Sequence, residues 1–309
     1  MTLTELRYIV AVSQKNHFGN AAQACFVSQP TLSIAIKKLE EELGIRLFER
    51  SSKNEIRITE IGQKIIDQAQ IVLRQAQILG EIAQQGKDPL KGQFKLGVIY
   101  TIGPYLLPNL IPKLRETAPD LKLIIEENFT ANLFQSLKQG TLDAIVISYP
   151  FDEAGIETAA LYQEPFIVAL PRNHEWKDRK QIRPEDLASQ DLMLLGSGHC
   201  FRDQVIEACP NCMSGDSELT RTLEGGSLET IRHMVAAGTG ITVLPHTSML
   251  HNQHHESLIE TRPFTQPSPC RTVAIAWRKH YPRKEAIRTI RDTIQTSPLK
   301  GVEIIHSIP

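Results

Sequence analysis

The stretch FGNAAQACFVSQPTLSIAIKKLEEELGIRLFER, residues 18–50, decides the fold of the N-terminal part of the chain. It begins with a run of small residues, at 20–25, that is typical of a short, closely packed helix. After a two-residue turn, Ser28 is a good N-cap for a second helix. Pro30 then falls in the first helical turn, where a missing N–H costs little. The stretch therefore predicts two short helices joined by a tight turn.

The second of these helices has two different faces. Its apolar side chains fall in one stripe, at Leu32, Ile36, Leu39 and Leu43. Its outward face is short, polar and basic, and carries Pro30, Ser33, Ile34 and Lys37. Two short helices at a sharp angle form the helix-turn-helix arrangement, in which the second helix enters the DNA major groove. A plain helical hairpin is the alternative interpretation.

Residues 47–58 favour the DNA-binding interpretation. They predict a wing, that is, a turn between two short strands, which carries Arg50, Lys53 and Arg57. The net charge of this region does not by itself favour DNA binding, because residues 1–60 contain eight basic and seven acidic side chains. Attraction to phosphates must therefore come from the placement of the basic groups.

The composition of the whole chain is that of a globular protein. It has 309 residues, of which 41% are hydrophobic and 22% charged, with a formal net charge of -1. The length suggests two or three compact units. The N-terminus has neither a basic n-region nor a long apolar run, so we expect a cytoplasmic protein without a membrane segment. Five cysteines are too few for a disulfide scaffold, and a disulfide in a reducing compartment would be a regulated event.

A long helix follows the predicted wing. From Thr59, a plausible cap, apolar residues alternate in steps of four and three until Gly86, at Ile65, Ala69, Val72, Ala76, Leu79 and Ala83. Such a seam is typical of a coiled coil, although a helix packed on its own domain is the simpler alternative. We expect residues 59–86 to pair two chains, and a dimer suits paired DNA half-sites. Residues 87–91 are interpreted as a hinge.

From residue 92 onward, apolar runs alternate with helical patterns. Strands are predicted at 94–99, 121–126, 142–148, 166–170, 192–195, 241–244 and 272–277, and helices at 106–116, 133–139, 228–237 and 284–295. Alternation of this kind indicates βαβ units. Ligands in such sheets bind beyond the carboxyl ends of the strands, where Thr101 and Thr130 fall.

Residues 18–50 resemble the winged helix-turn-helix of LysR-type transcriptional regulators. The resemblance implies a winged helix-turn-helix at 1–58, a dimerisation helix and hinge at 59–91, and an α/β, two-lobed, periplasmic-binding-protein-like effector domain at 92–309. Lobe I would comprise 92–165 and 270–309, and lobe II 166–269. The family places Gln29, Pro30, Thr31, Ser33 and Lys37 at the major groove, and wing residues, here Arg50 with Lys53, at phosphates or the minor groove. We add the hypothesis that Ile34 touches a thymine methyl group.

A second stretch, GSGHCFRDQVIEACPNC at 196–212, places three thiols close together. Cys200 would lie at a helix N-terminus beside His199 and Arg202, a setting that favours a reactive thiolate. In a continuous helix Cys209 would lie about 13 Å further along, on the opposite face. A disulfide needs Cα atoms about 4.4–6.8 Å apart. A bond between Cys200 and Cys209 would therefore have to unwind the helix, and would act as a conformational switch.

Three segments also resemble the peroxide-sensing members of the LysR family: GHCFRDQ at 198–204, TIGPYLLP at 101–108 and SLETIRHMVAAGTGIT at 227–242. This resemblance implies that Cys200 reacts with hydrogen peroxide and that Cys209 resolves it. It also implies a tetramer that shifts its DNA contacts on oxidation and recruits RNA polymerase. A cytosolic thiol reductant would reset it. The implied peroxide pocket comprises Thr101, Thr130, His199, Asp203 and Arg271. No catalytic turnover, metal or cofactor is expected.

Cys212 departs from the two-thiol pattern and leaves alternatives open. With Cys209 it makes a C-x-x-C that could compete for the disulfide or act as a second resolving site. A thioredoxin-like enzyme is disfavoured because its motif should follow an early strand. A zinc site from His199, Cys200, Cys209 and Cys212 is disfavoured because adjacent His and Cys rarely converge on one metal. The remaining alternative is a LysR-type regulator that binds a small organic acid between the lobes. The histidines at 251–255 are interpreted as a solvated loop.

Overall fold

The structure, a computed structural model, describes residues 1–50, 56–85, 88–151, 153–209, 212, 224–249 and 258–306. It divides into two compact units, one containing Met1–Lys87 and the other Asp88–Lys138 and Leu142–Pro309. In the described residues, no helix combines the length and the apolar composition that a membrane crossing requires.

Three helices and a small hairpin build the first unit. They are α1 at Leu3–Lys15, α2 at Phe18–Ala24, α3 at Gln29–Leu43, β1 at Phe48–Arg50 and β2 at Ile56–Ile58. Thr2 and Glu5 form a capping box at the start of α1. Ser28 caps α3 through its side chain, which accepts a hydrogen bond from the Thr31 backbone. The turn between α2 and α3 forces Phe26 to a φ of 57°, in the left-handed region that non-glycine residues seldom adopt.

The long helix α4, Glu60–Gln85, has a buried beginning and an exposed continuation. Ile66 and Ala69 belong to the apolar core that α1, α2 and α3 enclose. Further along, Val72 is 36% and Leu79 69% exposed. The predicted seam therefore serves two purposes: its first part packs on the DNA-binding unit, as the simpler alternative proposed, and its later part offers apolar side chains to solvent.

The second unit is one twisted sheet with helices packed against it. Its strands are β3 at Gly92–Ile99, β4 at Leu121–Asn128, β5 at Ala144–Tyr149, β6 at Ile156–Pro171, β7 at Leu192–Leu195, β8 at Glu224–Gly225, β9 at Ile241–Pro245, β10 at Ile259–Pro263, β11 at Cys270–Arg278 and β12 at Glu303–Ile304. Its helices are α5 at Gly103–Thr117, α6 at Thr130–Gln139, α7 at Cys200–Ala208, α8 at Leu228–Ala236 and α9 at Lys284–Gln295. The strand order β4-β3-β5-β11-β6-β9-β7-β8 includes parallel pairs made by βαβ crossovers.

Strand β6 runs through both lobes and changes partners at their boundary. Up to Pro165 it pairs with β11, and from Phe166 onward it pairs with β9 and β10. Sequence patterns predicted only its second part, because Gln163, Glu164 and Pro165 interrupt the apolar run and proline cannot donate to a ladder. Each part packs into its own apolar core, so the second unit is two-lobed.

Candidate functional site

Cys200 is positioned by the turn that joins β7 to α7. Gly198 has a φ of 94°, a conformation that suits glycine, and lets the chain reverse after the strand. His199 is the N-cap residue, so α7 begins with the thiol. Cys200 is half-buried and packs against the core of the first lobe, although α7 leaves from a strand of the second.

A small cavity lies against Cys200, where the ends of β3 and β4 meet the start of α7. Its volume is about 10 Å³. The residues around it are Ile99, Tyr100, Thr101, Asn128, Phe129, Thr130, Gly198, His199 and Cys200. About 10–15 Å³ is the least volume that holds one water molecule. The cavity is therefore comparable in size to a single water molecule.

Two threonine hydroxyls face this cavity and differ in their hydrogen bonding. The Thr101 hydroxyl accepts a hydrogen bond of 2.9 Å from Arg271 Nη1. The Thr130 Oγ1 is buried and has no hydrogen-bond partner within the protein. A buried hydroxyl without a partner loses free energy that a bound polar molecule would restore. Thr130 therefore provides an open hydrogen-bonding position beside the thiol.

His199 forms one wall of the cavity as a neutral ring. It is 7% exposed, and burial lowers its pKa below the ordinary value of 6.5, with a hydrogen bond to the Gly226 backbone opposing that shift. The imidazole packs edge-on against Phe129, with ring centroids 4.7 Å apart, and against Tyr100 at 6.1 Å. These contacts fix the ring while it remains uncharged near neutral pH.

Arg271 stands behind Thr101 in a completely buried ion pair. Its Nη2 lies 2.6 Å from Glu164 Oε2, and both side chains are 0% exposed. The two residues are cross-strand neighbours on β11 and β6, next to the point where β6 changes lobes. Glu164 also accepts hydrogen bonds from the backbone and hydroxyl of Thr247 in the second lobe. The Glu164–Arg271 pair is therefore hydrogen-bonded both to Thr101 at the cavity and to Thr247 in the second lobe.

Asp203 and Arg202, in the first turn of α7, do not line the cavity. Asp203 is exposed and is not among the residues around the cavity. Arg202 donates a 2.8 Å hydrogen bond to the Leu195 carbonyl oxygen. The cavity therefore brings together Thr101, Thr130, His199 and Cys200, with Arg271 one hydrogen bond away. A role for Asp203 stays a prediction.

The other two thiols lie at the far end of α7 in the core of the second lobe. Cys209 is 2% and Cys212 3% exposed. All three thiols are free, and α7 is continuous between Cys200 and Cys209, as the sequence predicted. A rise of 1.5 Å per residue separates the ends of this segment by about 13 Å. Cys200 and Cys209 therefore cannot bond while α7 is intact.

Cys209 and Cys212 are in direct contact with one another. The Cys212 backbone N–H donates to the Cys209 carbonyl oxygen at 3.0 Å. The neighbouring thiol and burial raise the pKa of Cys209. The pKa of Cys212 is lowered, because the Cys209 thiol can donate to its sulfur. The Cys209 thiol also lies 2.9 Å from the Pro184 carbonyl oxygen.

The residues predicted to meet DNA are accessible at the start of α3. Exposed side chains there are Gln29, Pro30, Thr31, Ile34 and Lys37, and Ser33 is half-buried. Ile34 is 68% exposed, which is unusual for a side chain of this kind. Of the wing cations, Lys53 lies outside the described residues, Arg50 is described only as the last residue of β1, and Arg57 is an exposed residue in the middle of β2. Their contacts with DNA stay predictions.

Other sequence features give no site in the described residues. There, no group of three or more His, Cys, Asp or Glu side chains could hold a metal ion. His199 and Cys200 stand at the opposite end of α7 from Cys209 and Cys212. The histidines at 251–255 lie outside the described residues.

Sequence reasoning missed the residues that support the cavity from behind. Glu164 was not predicted: it follows Gln163 and precedes Pro165 at the break in the apolar run, and its partner Arg271 becomes a neighbour only across the sheet. Phe129 and Tyr100 were also missed, since their role depends on the contact they make with His199. Phe26 was predicted only as a turn residue, and it is 95% exposed beside the start of α3.

Comparisons with known families match nearly the whole chain. Residues 3–63 match the family described as "Bacterial regulatory helix-turn-helix protein, lysR family", and residues 87–298 match the "LysR substrate binding domain". The hydrogen peroxide-inducible genes activator of Pectobacterium carotovorum is 38% identical over 295 residues, covering 96% of each chain.

Solved structures of OxyR proteins also match nearly the whole chain. A full-length variant of OxyR from Pseudomonas aeruginosa is 52% identical, with a TM-score of 0.78, covering 97% of this chain and 99% of that one. A Corynebacterium glutamicum OxyR mutant in its hydrogen-peroxide-bound form is 29% identical, with a TM-score of 0.64, covering 95% and 91%.

Proposed function

The chain belongs to the LysR family of bacterial helix-turn-helix regulators, and on that basis we propose that it regulates transcription in response to hydrogen peroxide. The observation that carries the proposal is the small cavity at Cys200, which is far below the size of a metabolite site and places the thiol beside the Thr130 hydroxyl that has no partner in the protein. Support comes from relatives that are named hydrogen peroxide-inducible genes activators and that align over 96% of the chain.

The chemistry begins with the Cys200 thiolate. It attacks one oxygen of hydrogen peroxide, the O–O bond breaks, and the second oxygen leaves as hydroxide and is protonated to water. Cys200 becomes a sulfenic acid. The Thr130 hydroxyl, which lacks a partner in the protein, can hydrogen-bond the peroxide, and Arg271, through Thr101, stabilises the charge that develops on the leaving oxygen.

The second step converts oxidation into a change of shape. The Cys209 sulfur attacks the Cys200 sulfur, water leaves, and a disulfide forms. Because α7 holds the two residues apart, this step requires the helix to unwind. Unwinding breaks the contact of Cys200 with the first lobe and the 2.7 Å hydrogen bond from Gln204 Nε2 to Ser148 Oγ. The relation between the two lobes therefore depends on the oxidation state of Cys200.

In this proposal, the rearrangement of the two lobes on oxidation alters how the DNA-binding unit contacts DNA. Residues 29–37 at the start of α3 would read a major groove, with Arg50 and Lys53 of the wing at the backbone or the minor groove. Exposed apolar residues of α4 would pair two chains, and four chains would assemble on paired half-sites. On oxidation the altered assembly would recruit RNA polymerase, and a cytosolic thiol reductant would return the disulfide to thiols.

Binding of a small organic acid between the lobes is the alternative function. The cavity volume argues against it, because sites for ligands of that size are usually hundreds of Å³. The buried Arg271 charge, which could have bound a carboxylate, is already occupied by Glu164.

A footprinting experiment separates these functions. The full-length protein is bound to its operator, and the DNA footprint is recorded before and after a stoichiometric peroxide pulse, for the wild type, Cys200→Ser and Cys270→Ser. Cys270 is an exposed thiol away from the cavity and serves as the matched control. We expect the peroxide-dependent change to vanish in Cys200→Ser alone. A footprint that responds to a metabolite and ignores peroxide would favour the alternative.

A further inference from the structure

We propose that oxidation of this protein ends in a Cys209–Cys212 disulfide, formed when Cys212 attacks Cys209 of the Cys200–Cys209 bond and releases Cys200. This proposal rests on the proposed reaction of Cys200 with peroxide and concerns the fate of the first disulfide. The oxidised protein would then return Cys200 to its reduced form without an external reductant.

The geometry of the C-x-x-C carries this inference. The Cys212 backbone N–H donates to the Cys209 carbonyl oxygen at 3.0 Å, a turn that holds the two Cα atoms within about 7 Å. The two thiols also lie close enough to shift one another's pKa. Cys212 is thus the thiol already beside Cys209, whereas Cys200 lies at the other end of α7.

Burial determines the order of events. Cys209 and Cys212 are 2% and 3% exposed inside the second lobe, so peroxide reaches them poorly. Cys200 is half-buried and borders the small cavity. Oxidising equivalents therefore enter at Cys200 and can reach the buried pair only by exchange between thiols and disulfides.

The helix supplies the driving force for the exchange. A Cys200–Cys209 bond keeps α7 unwound and withdraws Phe201 and Val205 from the positions in which they are buried. A Cys209–Cys212 bond lies beyond the last residue of α7, so the helix can form again and bury both side chains. The second disulfide is thus compatible with the packed lobe and the first is not.

The exchange balances without a further reactant. The Cys212 thiolate bonds to the Cys209 sulfur, the Cys200–Cys209 bond breaks, and its electron pair leaves on Cys200 as a thiolate. No net oxidation occurs.

Peptide mapping detects the exchange directly. The fully reduced, full-length protein receives one equivalent of peroxide, is quenched with an alkylating reagent at successive times, and is digested with trypsin without reduction. Cleavage after Arg202 separates Cys200 from the peptide that contains both Cys209 and Cys212. The Cys200–Cys209 bond then appears as a cross-link of two peptides, and the Cys209–Cys212 bond as a loop within one.

We expect the cross-link to form first and then to be lost, while the loop increases and Cys200 recovers its alkylation. In Cys212→Ser, and in Cys212→Ala if the hydroxyl disturbs the core, the cross-link should persist. In Cys200→Ser the loop should be lost at the same peroxide dose.

Two results would overturn the inference: a cross-link as persistent in the wild type as in the Cys212 variants, or a loop that forms equally in Cys200→Ser. Absence of any Cys200 cross-link in the Cys212 variants, with Cys200 remaining a thiol, would instead contradict the proposed function itself. Failure of the inference and failure of the proposed function are thereby distinguished.

Discussion

At the scale of single residues, His199 ties the stability of the effector domain to pH. Its pKa lies below 6.5 because burial disfavours the imidazolium. Below about pH 6.5 the unfolded chain takes up a proton at this residue and the folded chain does not. The free energy of unfolding therefore decreases by up to about 1.36 kcal/mol for each unit by which the pH is lowered.

This dependence can be measured by urea unfolding at pH 7.5 and 5.5. The variant His199→Gln keeps an N–H donor for the Gly226 backbone and cannot titrate, so it should lose less stability on acidification than the wild type. His306→Gln, on an exposed histidine, is the control and should behave as the wild type. Equal losses in wild type and His199→Gln would contradict the assignment.

The Glu164–Arg271 pair is the second residue-scale feature with a measurable consequence. Glu164→Gln leaves a fully buried guanidinium without its countercharge, and we expect a loss of about 3–5 kcal/mol of unfolding free energy. Replacing both residues, as Glu164→Gln with Arg271→Met, should recover much of this loss, since no isolated charge remains. Additive losses in urea unfolding would show that the two residues do not act as a pair.

At the scale of elements, α7 is the part of the effector domain that the proposed Cys200–Cys209 disulfide requires to open. The Gln204 side chain secures it to Ser148 on β5 with a hydrogen bond of 2.7 Å. Ser148→Ala removes about 1 kcal/mol from the closed state, which corresponds to about fivefold more frequent opening. Hydrogen exchange of the α7 amides in the reduced protein should accelerate by that factor. Ser189→Ala, an exposed serine away from α7, should leave exchange unchanged.

Helix α9 and strand β6 show how far the sequence predicts the structure. Helix α9 was predicted with its observed bounds, because its apolar positions keep one period from Lys284 to Gln295. The first part of β6 escaped prediction, since its polar residues pair inside the sheet with partners more than 100 residues away. The ends of the predicted strands indicated Thr101 and Thr130, the resemblance implied His199 and Arg271, and neither indicated Glu164. Local patterns predict elements, whereas an ion pair across a sheet depends on which strands become neighbours.

At the scale of the whole molecule, the exposed part of α4 is the surface expected to pair chains. Leu79 is 69% exposed and lies on one face with Val72. Leu79→Lys places a charge in that seam and should shift the protein from dimer or larger assemblies towards monomer in sedimentation velocity. Gln63→Lys adds the same charge on the opposite face of α4 and is the control. An unchanged sedimentation coefficient for Leu79→Lys would exclude this face.

The small cavity beside Cys200 also has a consequence for the choice among oxidants. An organic hydroperoxide carries the same O–O bond as hydrogen peroxide, but its alkyl group must also fit against the closely packed walls of the small cavity. Forcing extra carbon atoms into a packed interior costs about 1–3 kcal/mol, which corresponds to roughly 5-fold to 150-fold in rate. The aromatic wall of Tyr100 and Phe129 would thus act as a sieve. The regulator would report the smallest peroxide in the cell and remain largely silent towards oxidised lipids.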